Sequence, residues 1–338
     1  MTRQADDLLI LSGDEVLSQL ARQEQHLIDI VRQTYTQHSK GKSSLPFSSF
    51  LRFPDEQKNR IIALPAFVEI SKQKIAGIKW VASFPGNIER GVSRASASLI
   101  LNNTSTGRPY CFMEASHINA HRTAASAALA VQLLSRVNNT SMAVIGCGPI
   151  NYQIVRYVLT VQPSIKKMFI LDTSLERAAD FAAKCKQELR LDAVICDSLN
   201  QVVNNTKLVS FATNAGEPWV EESLAFSSDS LVLHISLRDI PPESLAEAYN
   251  VVDDALHVDR EKTSIHLAHQ GGRDISLDIH EIGTITGNPS FNPHIISRPI
   301  VYSPFGLGIL DIAVGRFVYE QASATKVGTV ITNFFSQS

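Results

Sequence analysis

A glycine loop between a strand-like segment and a helix-like segment constrains the fold of this chain more than any other feature. The apolar run Ser-Met-Ala-Val-Ile (141–145) leads directly into Gly-Cys-Gly-Pro-Ile-Asn (146–151), and residues 154–159 then carry apolar side chains at helical spacing. A strand, a tight glycine turn and a helix in this order form the phosphate-binding unit of doubly wound α/β folds. The helix N-terminus attracts phosphate because its unpaired N–H groups and its dipole favour negative charge. We therefore predict a dinucleotide site with the pyrophosphate beside Gly146, Gly148, Pro149 and Ile150.

A two-glycine loop alone also fits an ordinary turn, but the next strand-like segment adds a second feature. Residues 167–172 end in Asp172, where such folds place an acid that binds the adenosine ribose hydroxyls and repels a 2′-phosphate. We predict NAD rather than NADP as the cofactor, although the nearby Arg177 weakens this preference. The alternative role for Asp172 is a solvated helix cap. Asn151 replaces the third glycine of the fingerprint, which is expected to loosen the packing of helix against strand.

The order of segments predicts two domains. From residue 141 to Tyr302, strand-like and helix-like segments alternate, which implies parallel βαβ units and a doubly wound sheet. Residues 48–115 instead contain β-type segments separated by turn-rich pieces, and an Ala/Leu-rich helix over 116–135 bridges the two regions. We predict the α/β class, with a Rossmann domain at 122–305 and a smaller α+β domain formed by 1–121 with 306–338.

The two ends of the chain carry helical patterns. Ser12 and Glu15 form a capping-box pattern before an apolar periodicity that predicts one helix ending near Gly41. The segment from Gly308 to Gly328 places Ile309, Ile312, Ala313 and Phe317 on one helical stripe, followed by a strand-like run. We assign this tail to the smaller domain.

Charge and composition favour a cytoplasmic enzyme with a small-molecule partner. With 31 basic and 33 acidic residues the net charge is -2, which provides no general attraction for nucleic acid or an anionic membrane. The N-terminal apolar patch follows two Asp residues, the wrong charge order for a secretory signal, and no apolar run reaches the length of about 20 residues that spans a bilayer. Four cysteines without C-x-x-C spacing predict reduced side chains and no metal site.

Several longer motifs resemble those of one enzyme family. The runs GIKWVASFP (77–85), RASASLILN (94–102), MEAS (113–116) and HRTAASAALA (121–130) resemble the ornithine cyclodeaminase/mu-crystallin family, and the glycine loop, Asp172 and SLRD (236–239) follow in the family's order. The resemblance covers nearly the whole chain. It implies an NAD-binding Rossmann domain inserted between the halves of a substrate-binding domain, and a homodimer formed through that substrate-binding domain.

Within the family, the chain most resembles the branch that forms 2,3-diaminopropionate for siderophores or antibiotics. That branch oxidises N-(2-amino-2-carboxyethyl)-L-glutamate with NAD and cleaves the resulting imine to 2-oxoglutarate and L-2,3-diaminopropionate. Ornithine cyclodeaminases carry Gly-Gly-Asp and Pro-Gly-Lys around their catalytic acid, whereas residues 236–243 here are SLRDIPPE. Three alternatives stay open: an ornithine cyclodeaminase, another amino-acid dehydrogenase or ketimine reductase, and a mu-crystallin-like protein that binds ligand without turnover.

A carboxylate-rich amino-acid substrate requires fixed cations, and the planar fork of Arg suits carboxylates best. By resemblance, Arg60, Lys79 and Arg122 occupy substrate-binding positions, with Arg122 and Thr123 also near the cofactor phosphates. Arg94 is added on its chemistry and its place in the SRAS motif. The alternative for each is a solvated surface cation, the usual state of Arg and Lys.

Two further positions are candidates for chemistry and cofactor contact. Asp239 follows a strand-like run at the predicted carboxyl edge of the sheet and matches the family's catalytic acid, so it is a candidate general acid/base; the alternative is a helix cap. Lys79 shares this candidacy if burial disfavours its charge. Gly306, in the SPFGLG turn, would let the backbone approach the nicotinamide, or the turn is only the return link between domains.

Overall fold

The chain divides into two compact units in a computed structural model that describes residues 6–270 and 275–335. Unit 1 comprises Met1–Arg122 and Leu307–Ser338, and unit 2 comprises Thr123–Gly306. The divisions predicted from the sequence fall after residues 121 and 305, which is one residue before each division in the structure. Arg122 therefore lies in unit 1 and Gly306 in unit 2.

Unit 1 is built on an 8-stranded mixed sheet. Its strands are β1 (Leu8–Leu11), β2 (Ser43–Ser44), β3 (Ser49–Phe53), β4 (Glu56–Ile70), β5 (Gln73–Ser83), β6 (Ala95–Asn102), β7 (Pro109–Glu114) and β16 (Thr329–Ile331). Its helices are α1 (Gly13–Leu20), α2 (Glu24–Ser39), α11 (Gly308–Thr325), the first part of α3 (Ser116–Leu134) and a 3₁₀ turn (Pro85–Arg90). The strand order is β16-β1-β7-β6-β5-β4-β2, with β3 paired to β4. The C-terminal strand β16 thus completes the sheet that begins with β1.

The N-terminal helical segment is two helices, not the single helix that the apolar spacing predicted. The capping box at its start is present, with the Ser12 N–H donating to the Glu15 carboxylate at 2.8 Å. The chain leaves α1 at Ala21, and Arg22 adopts a left-handed φ of 61°, which reorients the chain before α2. The apolar periodicity continues across this break because both helices bury apolar residues and pack against α11, so the pattern alone did not reveal the break.

Helix α11 packs between the sheet and the helices α1 and α2. Side chains all around it are buried, including Ile309, Leu310 and Val314, so the single apolar stripe predicted from the sequence is too narrow. The close approach to the sheet requires a small residue at Gly315, where a Cβ would lie 2.1 Å from Leu99 Cδ2. The helix that carries the tail is therefore a central element of the unit 1 core.

Unit 2 is a doubly wound parallel sheet, which confirms the predicted α/β class. Its strands are β8 (Ser141–Ile145), β9 (Lys167–Leu171), β10 (Asp192–Ile195), β11 (Leu208–Phe211), β12 (Leu231–His234), β13 (Tyr249–Val252), β14 (Ile279–Glu281) and β15 (Ile300–Tyr302). Its helices, besides the rest of α3 and a 3₁₀ turn (Pro293–Ile295), are α4 (Pro149–Val161), α5 (Leu175–Leu189), α6 (Leu199–Asn205), α7 (Pro242–Ala246), α8 (Ala255–Val258), α9 (Ser264–His269) and α10 (Ile282–Gly287). The order β10-β9-β8-β11-β12-β15-β13-β14 reverses direction between β8 and β11, where doubly wound folds bind ligands.

Candidate functional site

The glycine loop between β8 and α4 has the geometry of a phosphate cradle. Gly146 has a φ of 88°, and a Cβ there would lie 2.6 Å from the Ala212 carbonyl oxygen, so only glycine fits. Gly148 is the N-cap of α4, and a Cβ on it would meet no atom within 4 Å. Pro149 begins the helix, and Gly148 provides no side-chain cap for the first N–H groups. This open N-terminus suits a pyrophosphate.

Asn151, at the third fingerprint position, ties the loop to the sheet. Its buried amide donates to the carbonyl oxygens of Ile145 at 2.9 Å and Gly146 at 2.7 Å, and its Oδ1 accepts from the Ser210 hydroxyl at 2.7 Å. Asn151 therefore links the start of α4 to the end of β8 and to β11. Three hydrogen bonds take the place of the close contact that a glycine would allow. The buried Asn151 Oδ1 finds its donor in Ser210, which is distant in sequence.

Asp172 lies against the glycine loop directly after β9. Its Oδ2 accepts the Cys147 N–H at 2.7 Å, and its Oδ1 accepts the Ser174 N–H at 2.9 Å and the Arg177 Nε–H at 3.1 Å. Burial alone would raise its pKa, but these hydrogen bonds and the Arg177 charge hold the pKa below its usual range. The side chain that caps α5 is Ser174. Asp172 is thus an ionised acid placed at the phosphate loop.

Asp239 is fully buried in unit 2, after β12. Its carboxylate accepts from the hydroxyls of Thr213 and Ser236 and, at 2.8 Å, from the Trp219 indole N–H. Burial would raise its pKa, but the adjacent His234 and the two hydroxyls lower the pKa to about 2. The His234 Nε2 lies 3.5 Å from Asp239 Oδ2, and the hydroxyl and indole donors also stabilise the anion.

This environment favours a structural role for Asp239. A carboxylate that accepts three side-chain donors, with a pKa far below neutrality, remains ionised and has little capacity to take up a proton. It instead joins the loop that carries Trp219 to the turn after β12, where Leu237 adopts a φ of 68°. The predicted acid/base role of Asp239 stays a prediction, and its surroundings argue against it.

The turn that contains Gly306 is held by a carboxylate that the sequence analysis did not identify. Asp253, which is buried directly after β13, accepts the Phe305 N–H at 2.8 Å and the Gly306 N–H at 2.7 Å. Gly306 has a φ of 95°, which explains the glycine. Because its N–H is engaged by Asp253, any contact of Gly306 with a cofactor would use its other atoms, and that contact stays a prediction.

Unit 1 contains a cluster of four polar side chains, of which Lys79, Arg122 and Asp311 are buried and Asn119 is partly buried. Lys79 Nζ lies 2.7 Å from Asp311 Oδ2 and donates to Asn119 Oδ1 at 2.9 Å. Arg122 donates through Nε to Asp311 Oδ1 at 3.1 Å and through Nη2 to Asn119 Oδ1 at 2.6 Å. Two cations and one anion leave a net charge of +1. The structure thus brings together Lys79 and Arg122, while Thr123 follows in unit 2, buried on α3.

The electrostatics of this cluster favour Lys79 as a group that changes protonation near neutral pH. Burial lowers the Lys79 pKa from 10.5 to about 8, the Asp311 carboxylate acts to raise it, and the Arg122 charge acts to lower it further. Asp311 and Asn119 were not among the residues predicted for the site. The available signals were an acid within the apolar run Leu310-Asp311-Ile312 and an amide three residues before Arg122, on the same face of α3.

Arg60 and Arg94 form a second cationic pair at one end of the unit 1 sheet. Arg60 on β4 lies opposite Ser83 on β5, Ser83 lies opposite Ala95 on β6, and the Arg94 carbonyl accepts the Phe84 N–H at 2.8 Å. Burial and the charge of Arg60 lower the Arg94 pKa, as expected for neighbouring guanidinium groups. Directly opposite residues share a sheet face, so Arg60 and Lys79 lie on the same face.

Across 6–270 and 275–335, no three or more His, Cys, Asp or Glu side chains are grouped so that they could hold a metal ion. Within the same residues, every helix is too short or too polar to cross a bilayer.

The glycine loop, the acid after the second strand and the doubly wound sheet define a dinucleotide-binding α/β protein. The chain belongs to the ornithine cyclodeaminase/mu-crystallin family, whose sequence profile matches residues 9–225. It is 27% identical to the N-((2S)-2-amino-2-carboxyethyl)-L-glutamate dehydrogenase of Staphylococcus aureus over 96% of this chain and 98% of that protein. This match confirms the predicted family.

Solved structures share the fold over nearly the whole chain. An archaeal alanine dehydrogenase dimer with bound NAD superposes with a TM-score of 0.83 at 26% identity, covering 97% of this chain and 100% of that one. The Δ1-pyrroline-2-carboxylate reductase of Thermococcus litoralis, in complex with NADH and L-proline, gives a TM-score of 0.87 at 22% identity over 95% of this chain and 99% of that one.

Proposed function

We propose that this chain catalyses the NAD-dependent oxidation and hydrolytic cleavage of N-(2-amino-2-carboxyethyl)-L-glutamate to 2-oxoglutarate and L-2,3-diaminopropionate. At the level of its relatives, the chain is an NAD-dependent dehydrogenase that acts on amino acids or imines. The finer assignment is supported by similarity to the Staphylococcus aureus enzyme along almost its full length. The observation that carries it is the cluster of Lys79, Arg122, Asp311 and Asn119, whose three buried charged side chains carry a net positive charge while Lys79 is protonated.

The residues of unit 2 fit an NAD molecule. The open space at Gly148 and the uncapped start of α4 leave room for the pyrophosphate. Asp172 Oδ2 accepts one hydrogen bond, from Cys147, and a carboxylate oxygen has capacity for a second acceptor contact with a ribose hydroxyl. Arg177, paired to Asp172 at 3.1 Å, is held by the acid rather than offered to a 2′-phosphate. These contacts support NAD over NADP.

The proposed reaction breaks a C–H bond at the glutamyl α-carbon and an N–H bond at the secondary amine. NAD supplies the acceptor for the hydride. A C=N bond forms in the substrate, water then adds to its carbon, and the C–N bond breaks to give the oxo acid and the free amine. We assign the amine proton to Lys79 because, with a pKa of about 8, roughly a quarter of its side chains are neutral at pH 7.5. Asp239, with a pKa of about 2, is a far weaker base.

The basic residues of unit 1 bind and orient the substrate in this proposal. Arg122 contacts one carboxylate, and Arg60 and Arg94 contact another. Lys79 and Ser83 are about 13 Å apart along β5, and Ser83 lies opposite Arg60. The long side chains of Lys79 and Arg60 reach into the space between these two positions. A substrate with several carboxylates uses both cationic groups, whereas alanine carries only one carboxylate.

We also propose a cytoplasmic homodimer that assembles through the sheet face of unit 1 opposite α11. That face carries the exposed apolar side chains of Trp80 (46%), Phe112 (40%) and Leu51 (49%), more than isolated surface residues would provide. The similar alanine dehydrogenase is described as a dimer. Trp80→Glu is expected to give monomers in light scattering, and an unchanged dimer would contradict this interface. The diaminopropionate product would supply siderophore or antibiotic assembly.

The activity is tested by incubating the protein with NAD and the glutamate conjugate. We expect NADH absorbance to rise in step with 2-oxoglutarate and diaminopropionate. Turnover of L-ornithine to proline and ammonia, of alanine, or of a cyclic ketimine with NADH, in place of the conjugate, would support the other family activities. Cofactor binding without turnover of any of these compounds would support a mu-crystallin-like binding protein.

Substrate contacts are tested with matched lysine variants on β5. Lys79→Gln is expected to lower kcat/KM for the conjugate by at least about 100-fold, the usual size of a lost acid/base group, while NADH affinity stays unchanged. Lys74→Gln, on the same strand but exposed, is the control and should retain full activity. Equal activity of both variants would remove Lys79 from the proposed site.

A further inference from the structure

The four side chains of the unit 1 cluster form a closed ring of contacts. Asp311 contacts both Lys79 and Arg122, one through each carboxylate oxygen, at 2.7 and 3.1 Å. Asn119 accepts from the same two cations through its single Oδ1, at 2.9 and 2.6 Å. Each cation therefore has two acceptors, and each acceptor joins the two cations, which come from β5 and α3.

Charge explains why the ring contains one carboxylate and one amide. Two cations held side by side in a buried site repel each other and lack water, so one anion between them is needed to offset the cost. A second anion would neutralise the ring. With Asn119 at the second acceptor position, the geometry is the same, and the ring carries one positive charge while Lys79 is protonated and none after Lys79 has lost its proton.

We propose that Asp311 and Asn119 are positioning residues that hold the Lys79 amine and the Arg122 guanidinium side by side in the substrate site, with Asp311 setting the protonation of Lys79. The substrate part of this inference rests on the proposed function. The charge and geometry of the ring do not depend on the proposed function. All four residues belong to unit 1, and each cation contacts both acceptors directly.

The surroundings of the Lys79 ammonium determine the direction of each expected change. The charged groups that act on it are Asp311 from α11 and Arg122 from α3, while its cross-strand neighbours are Leu64 on β4 and Leu99 on β6. Asp311→Asn removes the carboxylate that favours the ammonium, so the Lys79 pKa should fall below about 8. Asn119→Asp adds a carboxylate at hydrogen-bond distance, so the pKa should rise.

Nitrogen NMR of protein labelled with ¹⁵N-lysine measures this pKa without substrate, with the Lys79 resonance assigned by its loss in Lys79→Met. We expect opposite shifts of at least about one unit in the two variants, the lower end for a charge at this distance. Asp14→Asn, an exposed acid in the first turn of α1, is the matched control and should leave the resonance unchanged. If Asp311→Asn does not fold, Asn119→Asp decides alone, and an unchanged or lowered Lys79 pKa in that variant overturns the proposal.

Kinetics provide a second measurement on the whole enzyme. The acidic limb of the kcat/KM profile should move to lower pH in Asp311→Asn and to higher pH in Asn119→Asp. The KM of the conjugate should rise at least about 10-fold in Asn119→Asp, because the added anion competes with the substrate carboxylate for Arg122, and Asp311→Glu should retain the wild-type limb. If the acidic limb of the kcat/KM profile does not move while the Lys79 pKa measured by NMR does, Lys79 is not the group whose titration limits kcat/KM. If the wild-type enzyme does not turn over the conjugate, the proposed function fails, and the NMR result still decides the roles of Asp311 and Asn119.

Discussion

Replacing Lys79 by Met removes a buried ammonium while keeping a side chain of similar length. The Lys79 pKa is lowered from 10.5 to about 8, so the folded state binds this proton less tightly than the unfolded state. At about 1.4 kcal/mol per pKa unit, protonated Lys79 costs about 3 kcal/mol of stability at pH 7. This cost is fully present below pH 8 and declines as the pH rises towards 10.5, reaching about 1 kcal/mol at pH 9.5.

The substitution leaves the Asp311 carboxylate paired with Arg122 at 3.1 Å, so no buried anion is left uncompensated. Loss of the hydrogen bond to Asn119 removes about 1 kcal/mol. If neutral Lys and Met pack equally well, Lys79→Met should stabilise the protein by about 2 kcal/mol at pH 7 and by about zero at pH 9.5. The stabilised variant should be inactive, because the same side chain carries the proton in the proposed reaction.

Urea denaturation of the wild type and of Lys79→Met at pH 7 and pH 9.5 measures the effect as a difference between the two proteins. Taking the difference at each pH cancels the titration of all other groups that the substitution does not affect. Lys74→Met on the same strand is exposed and should show no pH-dependent difference. A variant that is less stable than the wild type at pH 7, or a difference that does not change between the two pH values, would refute the argument that burial of charge dominates at this site.

Three further substitutions test unit 2. Gly146→Ala should destabilise the protein by about 1–3 kcal/mol and abolish NADH binding, because its φ of 88° and the adjacent carbonyl exclude a Cβ. The control is Gly287→Ala, which has open space around it and should have little effect on stability or on NADH binding. Thermal melts measure the stability, and fluorescence titrations measure the binding. Asp172→Asn should weaken NADH binding about 10-fold and narrow the preference over NADPH, and unchanged titration curves would exclude Asp172 from the ribose site. Asn151→Leu should cost about 1–3 kcal/mol by leaving the Ser210 hydroxyl and two loop carbonyls without this partner, and urea denaturation measures that loss.

Local sequence patterns predicted the elements that depend on near neighbours. The strand before the glycine loop, the loop itself and α4 follow directly along the chain, and the capping box of Ser12 and Glu15 spans only three residues. The alternation of strands and helices likewise predicted the parallel sheet of unit 2. The break between α1 and α2 was missed because Arg22 adopts its left-handed conformation without a Gly, Asn or Pro to mark it.

The sequence by itself determined the doubly wound class, the glycine loop and the acid that follows the second strand, because strand and helix periodicity and glycine turns are local properties of the chain. Only the tertiary structure decided the environments of the charged groups. Asp311 lies 189 residues from Arg122 in sequence yet forms an ion pair with it. The Asp239 carboxylate accepts hydrogen bonds from side chains as far as 26 residues away. Burial and charge pairing depend on which distant segments pack together, and these separate the Lys79 pKa of about 8 from the Asp239 pKa of about 2.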